Sequence, residues 1–165
     1  WFDLLYPIAE KAKVCICTEN MWNWDGAQNR ASFASCATPE DFLANCALMN
    51  KPFFKACVDV GHAHMFPFDE RITPEKMIRK LGHHYVACLH LHDNDGHEDL
   101  HQIPFTNRCN LDWPATIQAL RDIDYQGDLV IETEFSDHTP LAIAKGHYIH
   151  QLEALKWIRD CIQKK

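Results

Sequence analysis

Four side chains able to hold a metal stand at comparable places along the chain: Glu19, Asp59, His90 and Glu132. Each lies about one strand-plus-helix length beyond the last, at or within the end of a short apolar run. Three carboxylates and an imidazole form a mixed oxygen and nitrogen donor set suited to Mn²⁺, Mg²⁺, Co²⁺ or Zn²⁺. Three acids gathered without a cation would repel one another, and a dication removes that cost. Any one of these residues alone would be read as a turn or a satisfied core group. Four at matching positions predict one shared divalent-metal centre. A second group follows the same stretches: His62, three residues beyond Asp59, and the pair Asp99 and His101. These are expected to contact substrate or to hold a second metal, the alternative being surface loop side chains. Most of the eleven histidines fall between His62 and His101.

The elements that must position these groups are legible. Residues 14–18, 56–60, 86–91 and 129–133 are continuously apolar, as strands are in a parallel sheet covered on both faces. Helix starts are marked by Thr38, Thr73 and Asp112, each followed within two residues by a proline. Ile149, Leu152, Leu155, Ile158 and Ile162 recur at helical spacing in a last helix, and residues 2–11 read as the end of another. The order is repeated β/α architecture in a single domain spanning 1–165. Two long loops, 21–37 and 94–111, follow strand carboxyl ends, where such folds carry their chemistry. Asp93-Asn94-Asp95-Gly96 resembles the start of a calcium loop but lacks the later spaced ligands, so it is expected to be a turn.

Bulk properties narrow the function classes. A formal charge of −7 over 165 residues argues against an extended phosphate-binding surface and so against nucleic acid as a partner. No apolar run is long enough for a membrane span. The eight cysteines contain no C-x-x-C pair and sit mostly in apolar runs, which predicts reduced core thiols and a cytoplasmic protein. Opening at Trp1, with neither an initiator Met nor a signal peptide, the chain reads as a piece of something longer.

Several motifs together resemble the xylose isomerase-like TIM barrels, a superfamily of sugar and sugar-phosphate isomerases and epimerases and of endonuclease IV-like AP endonucleases. They are Cys17-Thr18-Glu19-Asn20-Met21, Val58-Asp59-Val60-Gly61-His62, Leu89-His90-Leu91-His92-Asp93-Asn94, Asp99-Leu100-His101, Leu111-Asp112-Trp113 and Tyr125-Gln126-Gly127 followed by Ile131-Glu132. The resemblance implies an α/β fold, a (β/α)8 barrel of which this chain supplies about the last four units. It also implies that Glu19, Asp59, His90 and Glu132 are the metal ligands, with Glu19 and Glu132 as the catalytic acid/base pair and His62 as a contact to substrate or metal. The cofactor would be a divalent metal, the substrate a small sugar or sugar phosphate, and the native state open to homo-oligomers.

Two alternatives stand beside the epimerase. Endonuclease-like relatives use residues matching Asp59, His62, His90, Asp99, His101 and Glu132 in a zinc cluster, and a non-catalytic sugar- or metal-binding half-barrel would keep the site without turnover. Asn107-Arg108-Cys109-Asn110 stands where the family usually has a glycine-rich turn, and Gly96 stands near where some ketose epimerases place an arginine. Trp22, Trp24 and Phe66 are expected either to wall a sugar pocket or to pack on the barrel rim. A complete barrel needs about 250 residues, so a missing first half would supply the remaining contacts.

Overall fold

The computed structural model describes residues 1–22, 24–25, 27–31, 34–65, 72–106, 109–134 and 136–164. Phe66, Asn107 and Arg108 lie outside them, as does the side chain of Trp24. The element order is α1 (Phe2–Ala12), β1 (Ile16–Glu19), β2 (Trp24–Asp25), β3 (Arg30–Ala31), α2 (Pro39–Met49), β4 (Phe54–Asp59), α3 (Val60–His64), α4 (Pro74–Tyr85), β5 (Val86–Leu91), α5 (Trp113–Asp122), β6 (Asp128–Ile131) and α6 (Leu141–Gln163). Strands β1, β4, β5 and β6 form one sheet in that order, with every neighbouring pair parallel. The short pair β2 and β3 is an antiparallel hairpin within the 21–37 loop.

The sheet has two unlike faces. Ala56, Val58, Leu89 and Leu91 are fully buried against Phe42, Met77, Ile78, Leu120 and Ile158, which α2, α4, α5 and α6 supply. The alternate residues, including Cys57, Asp59, Cys88 and His90, line the other face, since successive strand side chains point to opposite sides. Among the described residues that inner face is covered only in part: Cys57 and Asp59 are buried, whereas Val130 is 41% exposed. The expectation of strands covered on both faces therefore holds only for the helix-packed side.

Strand boundaries shift from the apolar runs for local reasons. Helix α1 closes at Lys13, whose left-handed backbone (φ 56°) lets the Lys13 N–H reach the Glu10 carbonyl and the Val14 N–H reach the Ala9 carbonyl. Val14 thus belongs to a helix terminus, 57% exposed, and β1 starts at Ile16. Val60 leaves the strand because Asp59 caps α3, its Oδ1 accepting the His62 N–H at 2.6 Å. Residue 128 opens β6, and Glu132 follows it, still tied to the sheet by its N–H on the Leu91 carbonyl at 3.1 Å.

All three marked helix starts are N-caps. Thr38 Oγ1 accepts the Asp41 N–H at 3.1 Å and Asp112 Oδ1 accepts the Ala115 N–H at 2.9 Å, whereas Thr73 makes no side-chain cap bond. In α6, Ile158 is buried and Leu155 and Ile162 pack at the core edge, but Ile149 and Leu152 are 58% and 65% exposed. The buried face of that helix is instead drawn by Ala144, Gln151, Ala154 and Ile158. All eight cysteines are free thiols; Cys36, Cys46 and Cys57 are buried, while Cys15 is exposed and so departs from the core expectation. Among the described residues no helix is long and apolar enough to cross a membrane.

Candidate metal centre

The four strand ends carry their side chains to one point. One ligand atom from each of Glu19, Asp59, His90 and Glu132 falls within 4.8 Å of the others. Glu19 ends β1 and Glu132 follows β6, the two outermost strands of the sheet. In a flat sheet three strand spacings would hold them about 14 Å apart, so the curl of the sheet and the reach of two glutamates close the gap. Imidazole Nδ1 of His90 stands 3.1 Å from Glu19 Oε1, 2.9 Å from Glu132 Oε2 and 4.0 Å from Asp59 Oδ2. One ring nitrogen cannot satisfy three carboxylates. Asp59 Oδ2 and Glu132 Oε2 are buried atoms without a hydrogen-bond partner, and such orphaned acceptors turned toward a shared centre fit a cation. The residues present therefore suit a divalent metal. Glu19, acting first by hydrogen bond and also by charge, raises the His90 pKa, against the smaller opposing effect of burial.

Asp59 is the most constrained member. It is fully buried, and its Oδ1 accepts from the His62 N–H and, at 3.0 Å, from His92 Nε2. Its backbone is clamped by Asn20, whose amide donates to the Asp59 carbonyl at 3.0 Å and accepts the Asp59 N–H at 2.8 Å, joining the ends of β1 and β4. Burial disfavours the Asp59 carboxylate, yet its bonds and charge pairing with His92 and His62 hold the pKa below the ordinary value.

The second group forms its own cluster, and it includes a residue the spacing did not single out. Ligand atoms of His62, His92, Asp99 and His101 lie within 4.8 Å of one another. His62 Nε2 and His101 Nε2 face the same Asp99 oxygen, Oδ2, at 3.4 and 3.2 Å. Their other nitrogens are held by main-chain carbonyls, His62 Nδ1 donating to Asn20 at 2.9 Å and His101 Nδ1 to Glu132 at 2.9 Å. That is how metal-ligating histidines are oriented, the far nitrogen fixed by a carbonyl and the near one turned into the cluster. Burial would lower the His62 pKa, but Asp99, Asp59 and the Asn20 carbonyl bring it up to about 9. Burial opposes ionised Asp99 as well, and the facing His62, together with His101 and His92, outweighs it to lower the Asp99 pKa.

His92 is fully buried, its ring stacked on His101 at 4.2 Å between centroids, and its Nδ1 has no partner. It stands two residues beyond His90, the next position on the inner face, and that alternation was the available signal. Gly61 makes room for it: a Cβ there would lie 2.0 Å from His92 Cε1.

The described part of the 94–111 loop is folded back onto the site. Asp93 and Gln102 pair as an antiparallel bridge, and the Glu134 N–H bonds the His101 carbonyl at 3.0 Å. Beneath it, Asp93 accepts from Trp113 Nε1 at 2.7 Å and from the N–H groups of Asn94 and Leu111. Asp93-Asn94-Asp95-Gly96 is the expected turn, with the Gly96 N–H on Asn94 Oδ1. Gly96 sits at φ +82°, a left-handed conformation that an arginine would adopt only under strain. The ring of Trp22 lies 4.8 Å from that of His62.

The sequence model described as xylose isomerase-like TIM barrel matches residues 2–161. The chain belongs to the xylose isomerase-like TIM barrel family. Among solved structures it is similar to a D-tagatose 3-epimerase-like protein, with 23% identity, a TM-score of 0.65, and coverage of 96% of this chain and 53% of that one. It is likewise similar to a D-psicose 3-epimerase solved in the presence of D-fructose, with 16% identity, a TM-score of 0.69, and coverage of 99% and 54%. These likenesses show the fold: four strand-helix units of a (β/α)8 barrel, spanning about half the length of those two structures. A curated relative, the uncharacterized protein y4fM of Sinorhizobium fredii (strain NBRC 101917 / NGR234), is 36% identical over 105 residues, covering 62% of this chain and 30% of that protein.

Proposed function

We propose that the protein is a divalent-metal-dependent isomerase or epimerase of a sugar or sugar phosphate, and that this chain is the carboxyl-terminal half of its barrel. The observation that carries the proposal is the convergence of Glu19 and Glu132, from opposite edges of the sheet, on a point shared with Asp59 and His90. Glu19, Asp59, His90 and Glu132 would hold the ion. Bound there, a divalent metal polarises a carbonyl and lowers the barrier to removing a proton from the neighbouring carbon. Glu19 and Glu132 reach the site from different strands, which lets one carboxylate take a proton and the other return one. Asp59, tied by His62 and His92, serves as a fixed ligand. His62, Asp99 and His101 bind substrate hydroxyls or a second ion. Small sugars are the partners this cluster suits, since its polar groups lie within a few ångströms of one another, and the sugar-epimerase names of the structural neighbours agree with that choice.

The test supplies Mn²⁺, Mg²⁺, Co²⁺ or Zn²⁺ to the full-length protein and follows exchange of carbon-bound hydrogen with solvent over a panel of ketoses and aldoses. Metal-dependent exchange on at least one sugar is expected; its absence on all of them removes the proposal. The backbone-held imidazoles around Asp99 favour a second reading, an endonuclease IV-like AP endonuclease with a zinc cluster. Incision of a duplex bearing an abasic site, by protein holding several zinc ions, would put that reading first. Tight sugar or metal binding without any turnover would instead identify a non-catalytic binding protein.

A further inference from the structure

Two residues before three of the four converging ligands stands a cysteine: Cys17 before Glu19, Cys57 before Asp59 and Cys88 before His90. A strand repeats its facing every two residues, so these thiols line the inner face one layer below the ligands. The β4–β5 register sets Cys57 directly opposite Cys88. Ligand atoms of Cys57, Cys88 and His90 lie within 4.8 Å of one another. All three cysteines are free, Cys57 buried and the other two half-buried.

We propose that Cys57 and Cys88, with His90, form a separate site for a soft dication such as Zn²⁺ or Cd²⁺, beneath the carboxylate set. Thiolate and imidazole are the donors such ions select, whereas Mg²⁺ and Mn²⁺ prefer carboxylate oxygen. His90 is common to both sets, so an ion held by the thiols withdraws the one nitrogen ligand from the carboxylates, and the two sets compete. On binding, each ligating S–H gives its proton to solvent and the sulfur electron pair forms the metal–sulfur bond, with no change of oxidation state. Without metal, burial raises the pKa of Cys57, Cys88 and Cys17, that of Cys17 to about 11, with nearby thiols adding to the rise for Cys57 and Cys17. Coordination overrides this, because a thiol bound to a dication is deprotonated outright. The inference rests on the donor atoms and does not require that the protein be an isomerase.

Full-length protein stripped of metal is titrated with Cd²⁺ while the ultraviolet thiolate-to-cadmium charge-transfer band is recorded. The band is expected to grow to one equivalent, to weaken in Cys88→Ser and to vanish in the Cys57→Ser/Cys88→Ser double variant, with circular dichroism verifying the fold. It is expected to survive in Cys36→Ala, which is not among the grouped ligands, and in Glu132→Gln, which leaves both thiols and His90 in place. Growth of the band in unaltered protein that shows no metal-dependent sugar exchange would mean that the isomerase proposal, not this one, has failed. X-ray absorption at the cadmium edge of the unaltered protein provides a measurement free of folding effects, and two sulfur neighbours are expected. No band, a band retained by the double variant, or a coordination shell of oxygen and nitrogen alone overturns the proposal.

Discussion

Asp59 and Glu132 are both carboxylates of one cluster, yet their surroundings assign them different work. The Asp59 side chain is wholly enclosed, and one of its oxygens is committed to His62 and His92; the Glu132 side chain is 41% exposed. An enclosed and tethered carboxylate is suited to holding an ion, and a partly open one to exchanging a proton with substrate. Replacement of Glu132 by Gln keeps the size and one oxygen donor while removing charge and basicity. Turnover in Glu132→Gln should therefore fall by roughly 10²- to 10⁴-fold, with only a moderate loss of metal affinity. Asp59→Asn should weaken metal binding first, and its activity should recover in part at high metal concentration, because mass action compensates a poor ligand and cannot replace a base. Parallel measurement of turnover and metal dissociation constants decides it. Restoration of Glu132→Gln by excess metal would make Glu132 a ligand only and end the two-glutamate mechanism.

The same polar side chains shape the elements. Asp59 ends β4 as a strand residue and starts α3 as its cap, so the change from strand to helix occurs at the ligand itself. The three helix starts at Thr38, Thr73 and Asp112 offer a controlled comparison. Thr38 and Asp112 each accept a main-chain N–H from the first turn, while Thr73 holds the same position without that bond, its Oγ1 buried and unpartnered. A satisfied cap contributes about 1 kcal/mol. Thr38→Ala and Asp112→Ala should each destabilise the protein by that amount, while Thr73→Ala should be close to neutral. Denaturant titration of the three variants is the check, and an equal loss in all three would remove the distinction.

At the scale of the whole molecule, the fold gathers three carboxylates that local structure leaves on three separate strands. Holding them together without a cation opposes folding, and an ion that binds only the folded state reverses the sign. Metal at about 100 times its dissociation constant should add about 2.7 kcal/mol of stability. The melting temperature of full-length protein should rise with Mn²⁺ or Co²⁺ and fall back on chelation, and Asp59→Asn should lose most of the gain. A melting temperature indifferent to saturating metal would mean that the cluster holds no ion.

Much of this was written in local sequence. The caps at Thr38 and Asp112 and the turn at Gly96 depend on bonds between residues a few positions apart, so residue type and order suffice to define them. The four strand-end ligands were legible because each sits at the end of an apolar run, and a parallel sheet aligns such ends on one side. The tertiary structure alone decided how near they come: the curl of the sheet, with the reach of two glutamates, brings ligand atoms of Glu19 and Glu132 within 4.8 Å of each other. It also decided that His92 joins the second cluster, through Asp59 Oδ1 and the space left by Gly61, neither of which has a sequence periodicity. Val14 and Ile149 were misjudged for the same reason. Hydrophobicity says that a side chain gains by burial, but whether a surface exists to bury it depends on where other elements end and which faces they present.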